Sequence, residues 1–201
     1  MKRNKTKKGF VLASVFDKRG IAEFAKELKT LGYEIIATEG TGRELAKNGV
    51  AFTPSSKVSK NPDRLRSCIK TISFRIGAGI LFDRSDSTHL KEIKKLNLKP
   101  IDIVICNFPP LKEVIQTPKD FNIKNIDVGG PLMVRAAATN FRHVLVVVDP
   151  NDYKKVANAV LKGKITNKFR QRLAIKAFTY IRSYDYEIIQ YLKKNESFFK
   201  K

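Results

Sequence analysis

Two cysteines and two histidines are all the thiol and imidazole this 201-residue chain offers. Cys68 and Cys106 are too few for a disulfide framework or a cysteine-rich metal site, and read as ordinary thiols of a reducing cytoplasm. His89 and His143 stand apart with no partner at ligand spacing, so neither a metal nor another cofactor is expected. No apolar run approaches a membrane span, and the opening MKRNKTKK lacks the apolar stretch and cleavage site of a secretory signal. Acidic residues are also scarce: 19 Asp and Glu against 40 Lys and Arg leave a formal charge of +21. Such an imbalance invites a nucleic-acid reading. The basic residues, however, are spread from Lys2 to Lys201, with no ribonucleoprotein aromatic signature or zinc-finger spacing among them. A compositional bias toward Lys, Asn and Ile is an alternative source of the charge, and an anionic small molecule would be drawn in by the same field.

What is present reads as one α/β core. Residues 1–8 form a basic tail, 9–192 a single domain and 193–201 a second basic tail. Phe10 to Val15 is a short apolar run, read as a buried strand. The helix after Gly20 carries Ile21, Phe24, Ala25, Leu28 and Leu31 on one face, and Gly32 stops it. Tyr33 to Ala37 is the next strand, followed by a helix ending near Gly49. Strand and helix alternating at this pace predict a doubly wound, mainly parallel sheet covered on both faces. Pro54 to Pro62 reads as a polar loop or lid, Leu90 to Leu98 as a charged helix, and Pro100 to Asn107 and Val144 to Val148 as further strands. A helix from Asp152 to Leu161 precedes a long C-terminal one. Thr166 caps the latter, and Phe169, Leu173, Ala177, Ile181, Tyr184, Ile188 and Tyr191 recur on it at helical spacing, as core or dimer contact.

Parallel sheets bind ligands beyond the carboxyl ends of their strands, where Ser14 to Lys18 and Thr38 to Thr41 fall. These segments offer hydroxyls, helix-start amides and an ammonium, which is phosphate chemistry, although ordinary strand-to-helix turns would look the same. A third candidate is NIDVGGPLMVRAAATN, Asn125 to Asn140. There Asp127 precedes two glycines that permit close backbone approach, and Pro131 suits the first turn of a helix.

These segments together resemble the inosine monophosphate cyclohydrolases, the module that closes the purine ring and is usually fused to a formyltransferase. Asn125 to Asn140 is similar to the family's Asn-Ile-Asp-Ile-Gly-Gly-Pro…Arg-Ala-Ala-Ala-Lys-Asn. Ser14 to Gly20 is similar to its Ser-Val-Ser-Asp-Lys-Thr-Gly, and Ala37 to Thr41 to its phosphate loop, with Glu39 in place of a glycine. Lys70 and Thr71 match its Lys-Thr, and Pro100 to Asn107 its Pro-Ile-Asp-Leu-Val-Val-Val-Asn. Phe169 to Leu192 resembles the end of the module. The resemblance implies a methylglyoxal-synthase-like fold with a long C-terminal helix. It also implies a phosphorylated purine precursor as ligand, a separate formyltransferase as a possible partner, a possible homodimer and a cytoplasmic location. Of the family's catalytic groups it implies Lys70 and Asp127, with Ser14, Lys18, Thr38, Gly40, Thr41, Thr71, Asn107 and Gly129 binding substrate. The family's arginine, tyrosine and second lysine fall on Cys68, Pro109 and Thr139. A cyclohydrolase, a ribotide-binding module without turnover and a basic nucleic-acid binder are therefore the three readings carried forward.

Overall fold

The structure, a computed structural model, describes residues 8–61, 69, 71–117 and 125–196. Five strands form one all-parallel sheet: β1 (Gly9–Val15), β2 (Tyr33–Ala37), β3 (Thr53–Pro54), β4 (Ile101–Asn107) and β5 (Leu145–Val147), in the order β3-β2-β1-β4-β5. β4, IDIVICN, is buried throughout except at Asp102, the continuous apolar run that a central parallel strand requires. The helices are α1 (Ile21–Thr30), α2 (Glu39–Lys47), α3 (Ser55–Ser59), α4 (Phe74–Leu81), α5 (Ser87–Lys95), α6 (Leu111–Val114), α7 (Gly129–Thr139), α8 (Tyr153–Leu161) and α9 (Asn167–Lys194). α1 packs on α8, while α7 packs on β4, α4 and α9, as right-handed crossovers demand when the strand order reverses between β1 and β4. The doubly wound architecture expected from the sequence is therefore present. Among the described residues no helix is long and apolar enough to cross a membrane.

Three expectations change in detail. Residues 55–59 are a short helix rather than an open loop, because Ser55, Val58 and Ser59 turn inward. The charged helix starts at Ser87, three residues before Leu90, since the Asp86 carboxylate caps it by accepting from the amides of Thr88 and His89. A 3-10 turn, Pro150–Asp152, separates β5 from α8. The Thr166 cap is as expected, its hydroxyl accepting from Phe169 N, and α9 runs on to Lys194. Leu173, Ala177, Ile181 and Tyr184 of the helical stripe are buried, with Phe169, Ile188 and Tyr191 packed partly against them.

The amino end of the sheet is closed upon itself. Asp102 Oδ2 accepts from Phe10 N at 3.1 Å and its Oδ1 pairs with Arg84 at 3.2 Å, while Arg84 also donates to the Ile101 carbonyl. Any Cβ at position 9 would collide with this carboxylate, which accounts for Gly9 at the start of β1. Burial raises the Asp102 pKa, with Arg84 opposing the shift.

Candidate active site

At the carboxyl end, Ser14 pairs with Cys106 and Val15 with Asn107 across β1 and β4. This is where the strand order reverses and where open α/β sheets place ligands. The turn after β1 is built to present one side chain. Asn107 Oδ1 accepts from the amides of Phe16 and Asp17 at 2.7 and 2.8 Å, and the Asp17 carboxylate accepts from Arg19 N. Gly20 then takes the left-handed conformation, φ 67°, that a side chain would strain. Held this way, Lys18 reaches back and donates to the Val15 carbonyl. Burial pushes its pKa below the ordinary lysine value.

The start of α2 supplies the opposite wall. Thr41 is fully buried, and its Oγ1 accepts from Val15 N at 2.9 Å. Thr38 Oγ1 lies 3.2 Å from Ser14 Oγ and 3.4 Å from Thr41 Oγ1, so three hydroxyls from two crossovers form one cluster. The first amides of α2 have no partner inside the helix, and Thr38, Gly40 and Thr41 at this helix start line the same cavity as Lys18. Glu39, the residue that departs from the family's glycine, does not intrude. It is exposed and bonded 3.0 Å to Arg43 one turn on.

The third wall comes from the start of α7. Asp127 Oδ1 accepts from Gly130 N at 2.9 Å, and Asp127 N donates to Tyr184 Oη at 2.9 Å. A Cβ at Gly129 would sit 2.6 Å from Thr71 Oγ1, and one at Gly130 2.7 Å from Asp127 Oδ2 and 2.9 Å from Phe108. The two glycines are thus required by crowding at the pocket wall. Ser14, Lys18, Thr38, Gly40, Thr41, Thr71, Asp127 and Gly129 line one cavity of about 530 Å³, together with Pro109. Lys70, with Arg66 and Cys68, lies outside the described residues.

Two residues are placed differently from expectation. Asn107 does not line this cavity but the neighbouring one of about 650 Å³, between Phe16, Phe108, Val148 and Tyr180. Its Oδ1 is committed to the β1–α1 turn, and its buried Nδ2 has no partner among the described residues. Thr139 lies at the last residue of α7, exposed, about 15 Å along the helix from Gly129. A lysine there would not reach the cavity at the other end of the helix.

The sequence reading also passed over the hydroxyls of α9. Tyr180 Oη donates to the Phe108 carbonyl (2.9 Å) and accepts from Phe108 N (3.1 Å), and Glu187 accepts from Leu111 N (3.1 Å). Its ring lies 4.5 Å from that of Phe108, with Tyr184 at 4.6 Å. Burial raises the Tyr180 pKa to about 12, so the phenol stays protonated and able to donate. Tyr180 and Tyr184 are one turn apart, which was the only sign in the sequence that they share a task.

This fold and site define a class, and the chain belongs to it: the family model described as MGS-like domain matches residues 20–132, more than half of the chain. A second model, AICARFT/IMPCHase bienzyme, matches residues 137–201. Among curated proteins the chain is 44% identical over 196 residues to the bifunctional purine biosynthesis protein PurH of Caldicellulosiruptor bescii, covering 94% of this chain and 38% of that protein. It is 43% identical over 183 residues to the PurH of Oceanobacillus iheyensis, covering 90% and 36%. The chain therefore spans less than two-fifths of the length of these relatives. A solved structure titled "Crystal structure of ForH" superimposes with a TM-score of 0.77 at 31% identity, over 90% of this chain and 96% of that one.

Proposed function

We propose that the 530 Å³ cavity takes a phosphorylated purine precursor, with the phosphoryl group at the start of α2 and the heterocycle toward Asp127, and that the protein closes the second ring to give inosine monophosphate. The observation that carries this reading is the convergence of Ser14, Lys18, Thr38 and Thr41 from two crossovers with Thr71, Asp127 and Gly129 from two others. Hydroxyls, helix-start amides and a half-buried ammonium are a phosphate's complement, and Asp127 offers Oδ2 as a proton acceptor while Oδ1 holds the helix. Ring closure joins a carboxamide nitrogen to a formyl carbon within one molecule and then loses water. Orientation and exclusion of solvent supply much of the rate in such a step. Lys70, matched by motif, is the donor proposed for the developing oxyanion.

The net charge of +21 then serves to draw in an anionic ribotide. A formyltransferase carried on another chain would supply the formylated substrate, and a cytoplasmic site of action suits the buried free thiol of Cys106. A second reading, binding without turnover, is favoured by one observation: Pro109, which has no proton to give, lines the cavity where the family has a tyrosine. Incubating purified protein with the formylated carboxamide ribotide separates the two. Formation of inosine monophosphate is expected. Tight binding of inosine monophosphate with no turnover would establish the second reading, and absence of both would overturn the ribotide site itself.

A further inference from the structure

Residues 14–19 and 107–110 form a partition with a cavity on each side. Ser14, Val15, Lys18 and Pro109 line the one of about 530 Å³, whereas Phe16, Asp17, Arg19, Asn107, Phe108 and Pro110 line the one of about 650 Å³. The larger cavity differs from its neighbour in charge. Within a chain of +21 it gathers three carboxylates, Asp17, Glu113 and Asp149, against two cations. Both cations are committed: Arg19 lies 2.6 Å from Asp17, and Lys176 lies 2.6 and 2.5 Å from Asp149 and Asp152. Neither is held ready for an anion. The remaining walls are largely aromatic and aliphatic, from Phe16, Phe108, Val148 and Tyr180.

One polar group at this cavity points to a ligand. Asn107 is only 7% exposed, and its Nδ2 has no partner among the described residues. Oδ1 accepts from two backbone amides, so the carboxamide cannot be flipped, and Nδ2 is the end left to the cavity that Asn107 lines. A buried donor without an acceptor costs free energy, which a bound acceptor returns.

We propose that this second cavity is a small-molecule site for a neutral planar ring bearing a lactam. The ring carbonyl accepts from Asn107 Nδ2, and the ring face lies against Phe16 and Phe108. The adjoining ring N–H donates to Glu113 or to the hydroxyls of Thr179 and Ser183, which line the same cavity. Phe16, 49% exposed, is the wall with room to shift as the ring enters. The carboxylates turn away phosphates and other anions, so the two cavities select opposite kinds of ligand across one partition. A volume of about 650 Å³ falls within the range of sites that hold drug-sized molecules. The assignment owes nothing to the ribotide reading of the smaller cavity.

Titrating isotopically labelled protein with carbostyril, a neutral bicyclic lactam, and following the side-chain amide of Asn107 by NMR tests it. Saturable binding with Kd below about 1 mM is expected, with the Asn107 signal among those that move. Indole, a fused ring with no acceptor, should bind about tenfold more weakly or worse. Thr179→Trp fills the cavity from an exposed position on α9 and should abolish binding, and Ser183→Trp is a second plug from the same helix. Melting temperatures identify which plugged variants keep the wild-type fold. Excess inorganic phosphate, at constant ionic strength, should not displace the lactam. Absence of saturable binding overturns the proposal, as does equal affinity for the two rings. Binding that survives a folded plugged variant, or that phosphate competes away, overturns it too.

Discussion

The two ends of the sheet bury polar groups in opposite ways. At the amino end, Asp102 accepts from Phe10 N and Arg84, and Arg84 also donates to the Ile101 carbonyl, with only its buried Nη1 left without a hydrogen-bond partner among these groups. At the carboxyl end, the hydroxyls of Ser14, Thr38 and Thr41 and the ammonium of Lys18 are gathered around open space. The same strands carry both arrangements, so the difference is one of purpose. A closed network contributes to stability, whereas an open one holds donors ready for a ligand at some cost to the unliganded fold.

Disturbing the amino end should have the largest effect. Asp102→Ala strands the half-buried Arg84 guanidinium and should cost about 3 kcal/mol in chemical denaturation, while anion affinity of the folded protein stays unchanged. Equal losses in both measurements would erase the distinction between the ends. Gly130→Ala comes next. Its methyl group must displace Asp127 and Phe108, so about 1–3 kcal/mol of stability and most of the ribotide affinity should be lost together.

Tyr180→Phe leaves the Phe108 amide and carbonyl without their shared partner. It should cost about 1–2 kcal/mol and lower kcat more than it raises KM, because the loop position and not the ligand contact is affected.

The smallest effects sharpen the contrast by pH and charge. Lys18 has a folded-state pKa below its unfolded value, so it holds its proton less tightly in the fold. The ligand-free protein should therefore gain stability as pH rises between the folded and unfolded values. Anion affinity should move the other way, falling as pH passes through the lowered Lys18 value and hence earlier than for an ordinary lysine. Calorimetric titration with inorganic phosphate reads this limb, and Lys18→Met should remove it. Glu39→Gly deletes an exposed i,i+4 ion pair and the acidic residue of the first turn of α2, and places a glycine in the helix. It should cost no more than about 1 kcal/mol of stability and leave phosphate affinity alone.

How far the sequence led depends on the length scale over which each feature is determined. β2 and the core stripe of α9 were legible because burial periodicity is local to the chain. The pocket was legible by motif, yet the reason for its glycines was not: Gly129 and Gly130 are needed because Thr71, Asp127 and Phe108 converge on them from other parts of the chain. Nor could the partners of the Tyr180 and Tyr184 hydroxyls be read, since they lie 72 and 57 residues away. Thr139 is the instructive case. Ten residues of helix already separate it from Gly129, so its distance from the cavity was computable from spacing and helical rise alone.

The junction of β1 with β4 has a consequence for how the protein reaches its folded state. Phe16 N and Asn107 Oδ1 meet across 91 residues, and Thr41 joins Val15 across another crossover. No fragment of the chain possesses the candidate site, because each wall comes from a different crossover and loop closure must bring all of them together. A ligand therefore recognises only the fully assembled sheet. By mass action it draws the chain toward that state, adding about 2.7 kcal/mol to the stability at a hundredfold excess over Kd. The concentration of such a ligand thereby becomes a determinant of how long the folded protein persists.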